Sequence, residues 1–511
     1  MLTFILRRLG ATILVLLVAS FIVYTLTAIG TDPLADLKAS NSANRQQMID
    51  ARIEQLHLDV PPVLRYFTWL AGAAKCFVFQ CDLGVAFSRS NQPVTEAVAT
   101  AAGSTIQLVT ASIIIAILVG LTIGILTALR QYSGFDYSVT FLTFVVYSLP
   151  IFWVAVLLKE FGAIRFNAFL NDPVITVWAV VVTGLVTGFI FAAVLGGPWK
   201  TRLITFASAA VASGGLLAFL GVTDWFSQPT VGLVGIIVTG IGAAFGVTAI
   251  STGLGNRRAL YASLIVVAVW AIAWYPLQFL FLYVPTGWML VGVAIVGVGI
   301  AIGVGILIGG DDKKQVARTA AIVSFITFLV VVVDRVLLIY PDYLNRIPQS
   351  GVIATIGSET PGLQGDMWFH MLDSFAHLIL PTIALAVVSI AAYTRYARSS
   401  LLEVMNQDYV RTARAKGLTE RTVIVRHAMR NALIPIATII AFDIGALIGG
   451  AVITETIFAW KGMGALFTDG LRAGDVNLVM GFFVVTGVLA VIFNLIADLL
   501  YSALDPRIRV N

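Results

Sequence analysis

Long apolar runs dominate this chain and leave it few folds to choose from. A hydrocarbon core about 30 Å thick takes roughly 20 apolar residues as one helix, because a helix satisfies its own backbone there. Such runs recur at 9–29, 106–129, 137–158, 174–195, 203–221, 231–250, 260–283, 289–308, 317–339, 375–393, 432–453 and 478–500. The pattern predicts an all-α, polytopic membrane bundle of about 12 transmembrane helices. Charged residues make up 12% of the 511, half the share of about 25% usual in soluble domains. The net charge of +5 is no nucleic-acid signal, since the basic residues sit in short loops between spans.

Those loops also set orientation. Arg7 and Arg8 precede a first run too long for the apolar part of a signal peptide and lacking a small-residue cleavage site, so it is read as an uncleaved anchor. Lys200 and Arg202, then Arg257 and Arg258, then Lys313, Lys314 and Arg318 fall on one side of the middle runs. Loops 224–229 and 284–287 carry no Lys or Arg. Twelve spans place the basic clusters and both termini in the cytoplasm, with Lys159 and Arg165 as exceptions outside.

One segment is unlike the rest. From 395 to 430, eight basic residues (Arg395, Arg398, Arg411, Arg414, Lys416, Arg421, Arg426 and Arg430) face three acids, Glu403, Asp408 and Glu420. Residues 408–416 read as a short helix, Gly417 as its left-handed stop, Thr419 as an N-cap and 420–430 as a second short helix. Two short helices about a glycine form a knob suited to a groove in a cytoplasmic protein.

DYVRTARAKGL followed by HAMRNALIP resembles the cytoplasmic coupling loop of ABC-importer permeases, and closely that of the dipeptide/oligopeptide branch. The resemblance extends to LRRLGATILVLLVASFIVYTL, CDLGVAF, SLPIFW, HLILPTIALA, GGAVITETIFAWKGMG and NLIADLLYSALDPRIR, over roughly 1–160 and 340–511. The general loop is written E-A-A-x-x-x-G; here Arg411, Thr412 and Ala413 hold the first three places, a change the peptide branch tolerates. Lys461 stands where that family usually has proline.

The resemblance implies a non-catalytic permease subunit in a bacterial cell membrane. Its implied partners are a second homologous permease chain in a heterodimer, two cytoplasmic ABC ATPase subunits, and an extracytoplasmic binding protein that delivers peptide. ATP and Mg would be bound by the ATPase partners, leaving this chain without a cofactor; no G-x-x-x-x-G-K-[ST] occurs in it. Asp408, Tyr409, Arg411, Thr412, Ala413, Ala415, Lys416 and Gly417 would sit in or beside the ATPase groove, small Ala413 and Ala415 permitting close approach. Nickel chelates or oligosaccharides are the other cargoes of such permeases. An ion-gradient-driven secondary transporter is the competing class, disfavoured by scarce intramembrane carboxylates. An intramembrane enzyme lacks a catalytic constellation, with His57, His370, His377 and His427 scattered and no metal-ligand cluster.

Three parts follow: an N-terminal core 1–160 with external loop 31–103, an inserted region 161–339 of three helical hairpins, and a C-terminal core 340–511 with coupling loop 395–431. Gly292, Gly297, Gly299, Gly303 and Gly305 in the insert allow close helix contacts. Cys76 and Cys81 lie in the external loop, either bridged or as two unpaired thiols. Among polar residues in spans, Asp443 either lines a path or pairs with a neighbouring helix, and Asp498 pairs with Arg507. Asp334 and Arg335 are expected to reach the outer interface.

Overall fold

Ten helices among the described residues are long and apolar enough to cross a membrane, or up to eleven with one bent pair counted as a span. One of the ten, Gly287–Leu338, is two helices, Gly287–Gly309 and Lys313–Leu338, joined at Gly310–Asp312. The structure, a computed structural model, describes residues 2–347 and 351–504. The chain forms two compact units: one takes residues up to Gly162, Thr355–Ser358 and everything from Leu378 on, and the other takes Ala163–Ala354 and Glu359–His377.

In the first unit, the helix Val94–Leu129 begins nine residues before the expected end of the loop at 103. It crosses the helix Met367–Met405 at Gly120 and Gly124. A Cβ on Gly124 would lie 2.6 Å from both the Ala397 Cβ and the Thr394 carbonyl oxygen, so only glycine admits this approach. The expected span 137–158 is not one helix. Gly134–Ser148 and Ile151–Asn171 meet at 100°, because Pro150 forces Leu149 into extended backbone (ψ 127°) and removes a donor.

Residues 31–93, from the segment expected to lie outside the membrane, pack against the rest of this unit. Their helix Pro62–Ala74 buries Tyr66 and Trp69 against Tyr24, and the Tyr66 hydroxyl meets Ser20 Oγ at 2.8 Å. A disulfide joins Cys76 to Cys81, and a two-residue antiparallel ladder pairs Val85 with Pro93 and Ala86 with Gln92. Asp475 reaches this loop, accepting from Ser88 N and Oγ at 3.1 and 2.8 Å. Nearby, fully buried Glu455 organises the turn before the helix Met463–Ala473. Its Oε1 accepts from Thr105 Oγ1 at 2.8 Å, and its Oε2 accepts from Gly464 N at 2.7 Å and Ala465 N at 3.1 Å. A carboxylate at a helix N-terminus meets the positive end of the dipole.

The second unit pairs Val177–Leu195 with Trp199–Val222 through Gly184 and Gly188, which approach the Ala210 and Phe206 carbonyls. Gly232–Ser251, Arg257–Tyr283, Gly287–Gly309 and Lys313–Leu338 pack around Ile236, Val266, Trp270, Phe328 and Val331. Of the five insert glycines, Gly297 and Gly305 make the close contacts, to Trp270 and Ala317; Gly292, Gly299 and Gly303 face open space.

Asp334 corrects the expectation of an interfacial residue: it is fully buried. Its Oδ1 accepts from Thr230 Oγ1, Val231 N and Gly232 N at 2.8–2.9 Å, and its Oδ2 accepts from Trp274 Nε1 at 2.8 Å. Five residues from two segments, 230–232 and the helix Arg257–Tyr283, thus converge on one carboxylate, counting the longer 3.5 Å contact from Gln278. Arg335 lies over the Trp368 ring, 5.9 Å from its centroid. Residues 340–354 and 359–377, grouped by sequence with the C-terminal core, belong to this second unit. The reason is a second buried carboxylate, Asp373, which accepts from Tyr343 OH and from Thr360 N and Oγ1, while Trp368 donates to the Phe281 carbonyl. The side chains of the expected Asp498–Arg507 pair lie outside the described residues.

Two outcomes follow. Asp334→Leu strands three buried N–H groups at about 1–3 kcal/mol each, so it should lower the thermal unfolding midpoint in detergent far more than Asp334→Asn, which keeps the Oδ1 acceptor. Equal midpoints for the two variants would show that the carboxylate organises nothing. Burial holds the Glu455 carboxyl above the usual carboxylate range, partly offset by its three hydrogen bonds. Its stabilising contribution is therefore full below the unfolded-state pKa and declines as pH rises through the raised folded value. Glu455→Gln retains an oxygen for the two N–H groups and should flatten the fall of stability with pH just above the ordinary Glu range. An unchanged slope would contradict the assignment.

Candidate functional site: a cationic knob

The knob grows from the end of the helix Met367–Met405 after a turn in which Asn406 N and Gln407 N bond to the Glu403 and Val404 carbonyls. The next helix, Asp408–Ala415, has the right charges at each end, with Asp408 in the first turn and Arg414 in the last. Its inner face is Val410 and Ala413, spaced i and i+3, and both are buried with Val423 against Val404 and Met405. Lys416 closes the helix, and Gly417 takes φ +76°, the left-handed conformation the sequence calls for. Thr419 is the N-cap residue of the second helix, its backbone extended at ψ 143°, but its hydroxyl meets Thr422 Oγ1 instead of a helix N–H.

Across the glycine turn, Arg414 grips Glu420 with two hydrogen bonds, Nε to Oε2 at 3.2 Å and Nη2 to Oε1 at 2.7 Å. These bonds hold the Glu420 carboxyl below its ordinary pKa and raise that of Arg414. Both side chains are solvated, so the pair is worth about 0–1 kcal/mol; it orients the turn more than it stabilises it. On the other side, Asn431 Nδ2 donates to Tyr409 OH at 2.8 Å and ties the first knob helix to the following span.

The second knob helix does not stop at 430 as expected. Glu420–Thr422 passes through a wide, π-helical stretch, Val423–Ala428, directly into Met429–Gly450. No helix breaker stands between Thr419 and Pro435, so the chain has no reason to end the helix there. The buried ends of this stretch face different neighbours: Val423 packs in the knob, and Ala428 packs with Ala128, Leu401 and Ala432.

Of the eight residues singled out by sequence, Asp408, Tyr409, Arg411, Thr412, Ala415, Lys416 and Gly417 are exposed on the knob. Ala413 is not, being 5% exposed and occupied inside the knob. Arg411 lies 3.7 Å from Asp408 with both side chains in solvent. Leu418, 41% exposed beside Gly417, adds an apolar contact to the surface that sequence reasoning overlooked.

Asp443 is distant from the knob in sequence and pairs with a neighbouring helix: Tyr393 OH and Ser389 Oγ donate to its Oδ2 at 2.5 and 3.2 Å. Asp136 was not anticipated. Arg398, counted by sequence in the basic cluster, turns to it with Nε–Oδ1 at 2.7 Å and Nη2–Oδ2 at 3.0 Å. Asp136 also accepts from Tyr132 N, while its own N–H bonds to Ser133 Oγ. The S-x-x-D pattern of a capping box, Ser133 to Asp136, was the available signal.

Comparison with known proteins places these features in a family. Residues 120–510 match the family described as "Binding-protein-dependent transport system inner membrane component", and residues 1–109 match "Binding-prot-dependent transport system membrane comp, N-term". The chain is 43% identical over 155 residues to the oligopeptide transport system permease protein OppB of Mycobacterium tuberculosis, covering 30% of this chain and 48% of that protein. It is 49% identical over 141 residues to the oligopeptide transport system permease protein AppB of Bacillus subtilis, covering 28% and 45%. It is 46% identical over 140 residues to the dipeptide transport system permease protein DppB of Escherichia coli K12, covering 27% and 41%. The chain thus matches less than half the length of each of these relatives.

A Cβ at Gly417 must adopt a backbone conformation that costs an L residue roughly 1–2 kcal/mol. Gly417→Val should therefore loosen the turn, read as faster protease cleavage between 415 and 420, while the thermal midpoint of the bundle holds. Cleavage at the wild-type rate would show that the turn tolerates a side chain.

Proposed function

The chain belongs to the family of binding-protein-dependent transport system inner membrane components, and from that membership we propose that it is a permease subunit of a peptide-class ABC importer. It sits in the bacterial inner membrane with the knob and both termini in the cytoplasm. Peptide is delivered from outside by a binding protein and passes between this chain and a second, homologous permease subunit. ATP is bound and hydrolysed by two cytoplasmic partners, and this chain is not itself an enzyme. The names of the relatives support the cargo class. One observation carries the coupling role: seven of the eight matched loop residues stand exposed on a short, internally packed projection. A cationic surface of this kind favours an acidic or neutral groove over a basic one.

The two helices of the knob share one apolar contact, Val410 and Ala413 with Val423, and the second continues into a membrane helix. A partner gripping the exposed face therefore moves the span with it. The external loop, bound down by Asp475 and Arg89–Asp469, is the platform proposed for the binding protein.

Reconstitution tests the reading. The chain alone in liposomes should neither hydrolyse ATP nor accumulate peptide under a proton or sodium gradient. With its ATPase and permease partners and the binding protein, substrate-stimulated hydrolysis and uptake should appear, and Gly417→Val should separate the two. Gradient-driven uptake by the lone chain would replace this proposal with a secondary transporter.

A further inference from the structure

Arg395 lies one turn before Arg398 on the helix Met367–Met405, yet the two guanidinium groups are treated differently. Arg398 is neutralised by Asp136 through two hydrogen bonds. Arg395 forms no ion pair among the described residues, and its Nε is buried without a hydrogen-bond partner. Its guanidinium lies instead 3.8 Å from the Tyr147 ring centroid and 5.6 Å from that of Phe144. A cation over aromatic faces is partly stabilised, but its Nε–H still lacks an acceptor.

Those groups border a cavity of about 410 Å³, lined by Arg395 and Arg398 with Thr140, Thr143, Phe144 and Ser399. Two guanidiniums and the single carboxylate of Asp136 leave one positive charge uncompensated at this wall. The hydroxyls of Thr140, Thr143 and Ser399 already donate to Asp136 Oδ1 and to the Thr140 and Tyr396 carbonyls, so the donors left for an anion are those of Arg395. Much of the rest of the wall is apolar, from Val139 and Phe144. Phosphate on an apolar stem matches that combination better than a free ion does.

The cavity also lies at the right depth. Arg395 stands ten residues, about 15 Å of helix, before the end of its helix at Met405, so it falls near the knob-side end of the span. The adjacent helix Gly134–Ser148 exposes Phe141 and Phe144 together with Tyr137 and Tyr147, and tyrosine is a residue type that settles at headgroup level. We propose that this cavity seats the phosphate of an anionic phospholipid from the knob-side leaflet, paired to Arg395, with the acyl chains running along the aromatic face of Gly134–Ser148. The inference rests on the chain being embedded in a bilayer and not on the cargo or the coupling role.

The test is binding of fluorescent phosphatidylglycerol to the full-length chain in detergent, with diacylglycerol of the same chains as the lipid lacking phosphate. The wild type should hold phosphatidylglycerol and not diacylglycerol, and Arg395→Gln should weaken that binding about five- to tenfold. Ser399→Phe, which adds bulk at the cavity wall while leaving Arg395 in place, should weaken it as well; thermal unfolding of both variants checks that the fold survives. Unchanged affinity in Arg395→Gln and Ser399→Phe overturns the proposal. So does displacement of the lipid by inorganic phosphate at matching concentrations, which would mark a free-anion site.

Discussion

Hydrocarbon offers nothing to hydrogen-bond with, and that deficit governs the buried polar groups of the two units. Backbone groups solve it by forming helices. Side chains must find donors or acceptors inside the chain, and a buried carboxylate without them is untenable. Asp334 gathers hydroxyl, backbone and indole donors from two segments, none of them charged. Glu455 and Asp373 are arranged likewise. Among the buried carboxylates of the described residues, Asp136 alone pairs with an arginine, Arg398, through a bidentate contact. The carboxylates are thus junctions: each fixes the entry of one helix relative to another, and removing it exposes several donors at once.

The knob obeys the opposite rule, since water satisfies its polar groups. Its charged pairs contribute little, and its shape comes from a small apolar contact plus one left-handed glycine. That division leaves the charged surface free. Charges that hold nothing together are available to a partner, whereas Ala413, matched by the same motif, is committed to the interior.

Much of this was legible in the sequence, for identifiable reasons. Apolar runs and loop charge fixed the all-α class, because helix length in a bilayer follows from thickness alone. Gly417 as a left-handed stop was legible because glycine at a helix end has few other uses. What failed were inferences about side chains from position along a span. Asp334, near the end of its run, was expected to reach the interface, but Thr230 and the start of the next helix close over it. The helix at 137–158 was read through Pro150 because its hydropathy is continuous, although proline and the residue before it govern backbone geometry independently of hydropathy. Asp136 was overlooked because a single charge at a helix start reads as capping. Its partner lies 262 residues away, a separation no local pattern reports.

The junction between knob and span shows why helix ends resist prediction from sequence. Thr419, Glu420 and the following basic residues supply a start signal but no stop, and 420–430 was closed at Arg430 only because the charges give way to apolar residues. Backbone hydrogen bonding does not register that change. The helix continues, taking up its registry difference in the wide turns of Val423–Ala428, with Val423 fastened on the knob side and Ala428 on the bundle side. A register set by two packed ends and accommodated between them is a constraint of the folded chain. It follows that the knob and the helix Met429–Gly450 are mechanically one element, and that Pro435, further along the same helix, bears on how the element bends and not on where it begins.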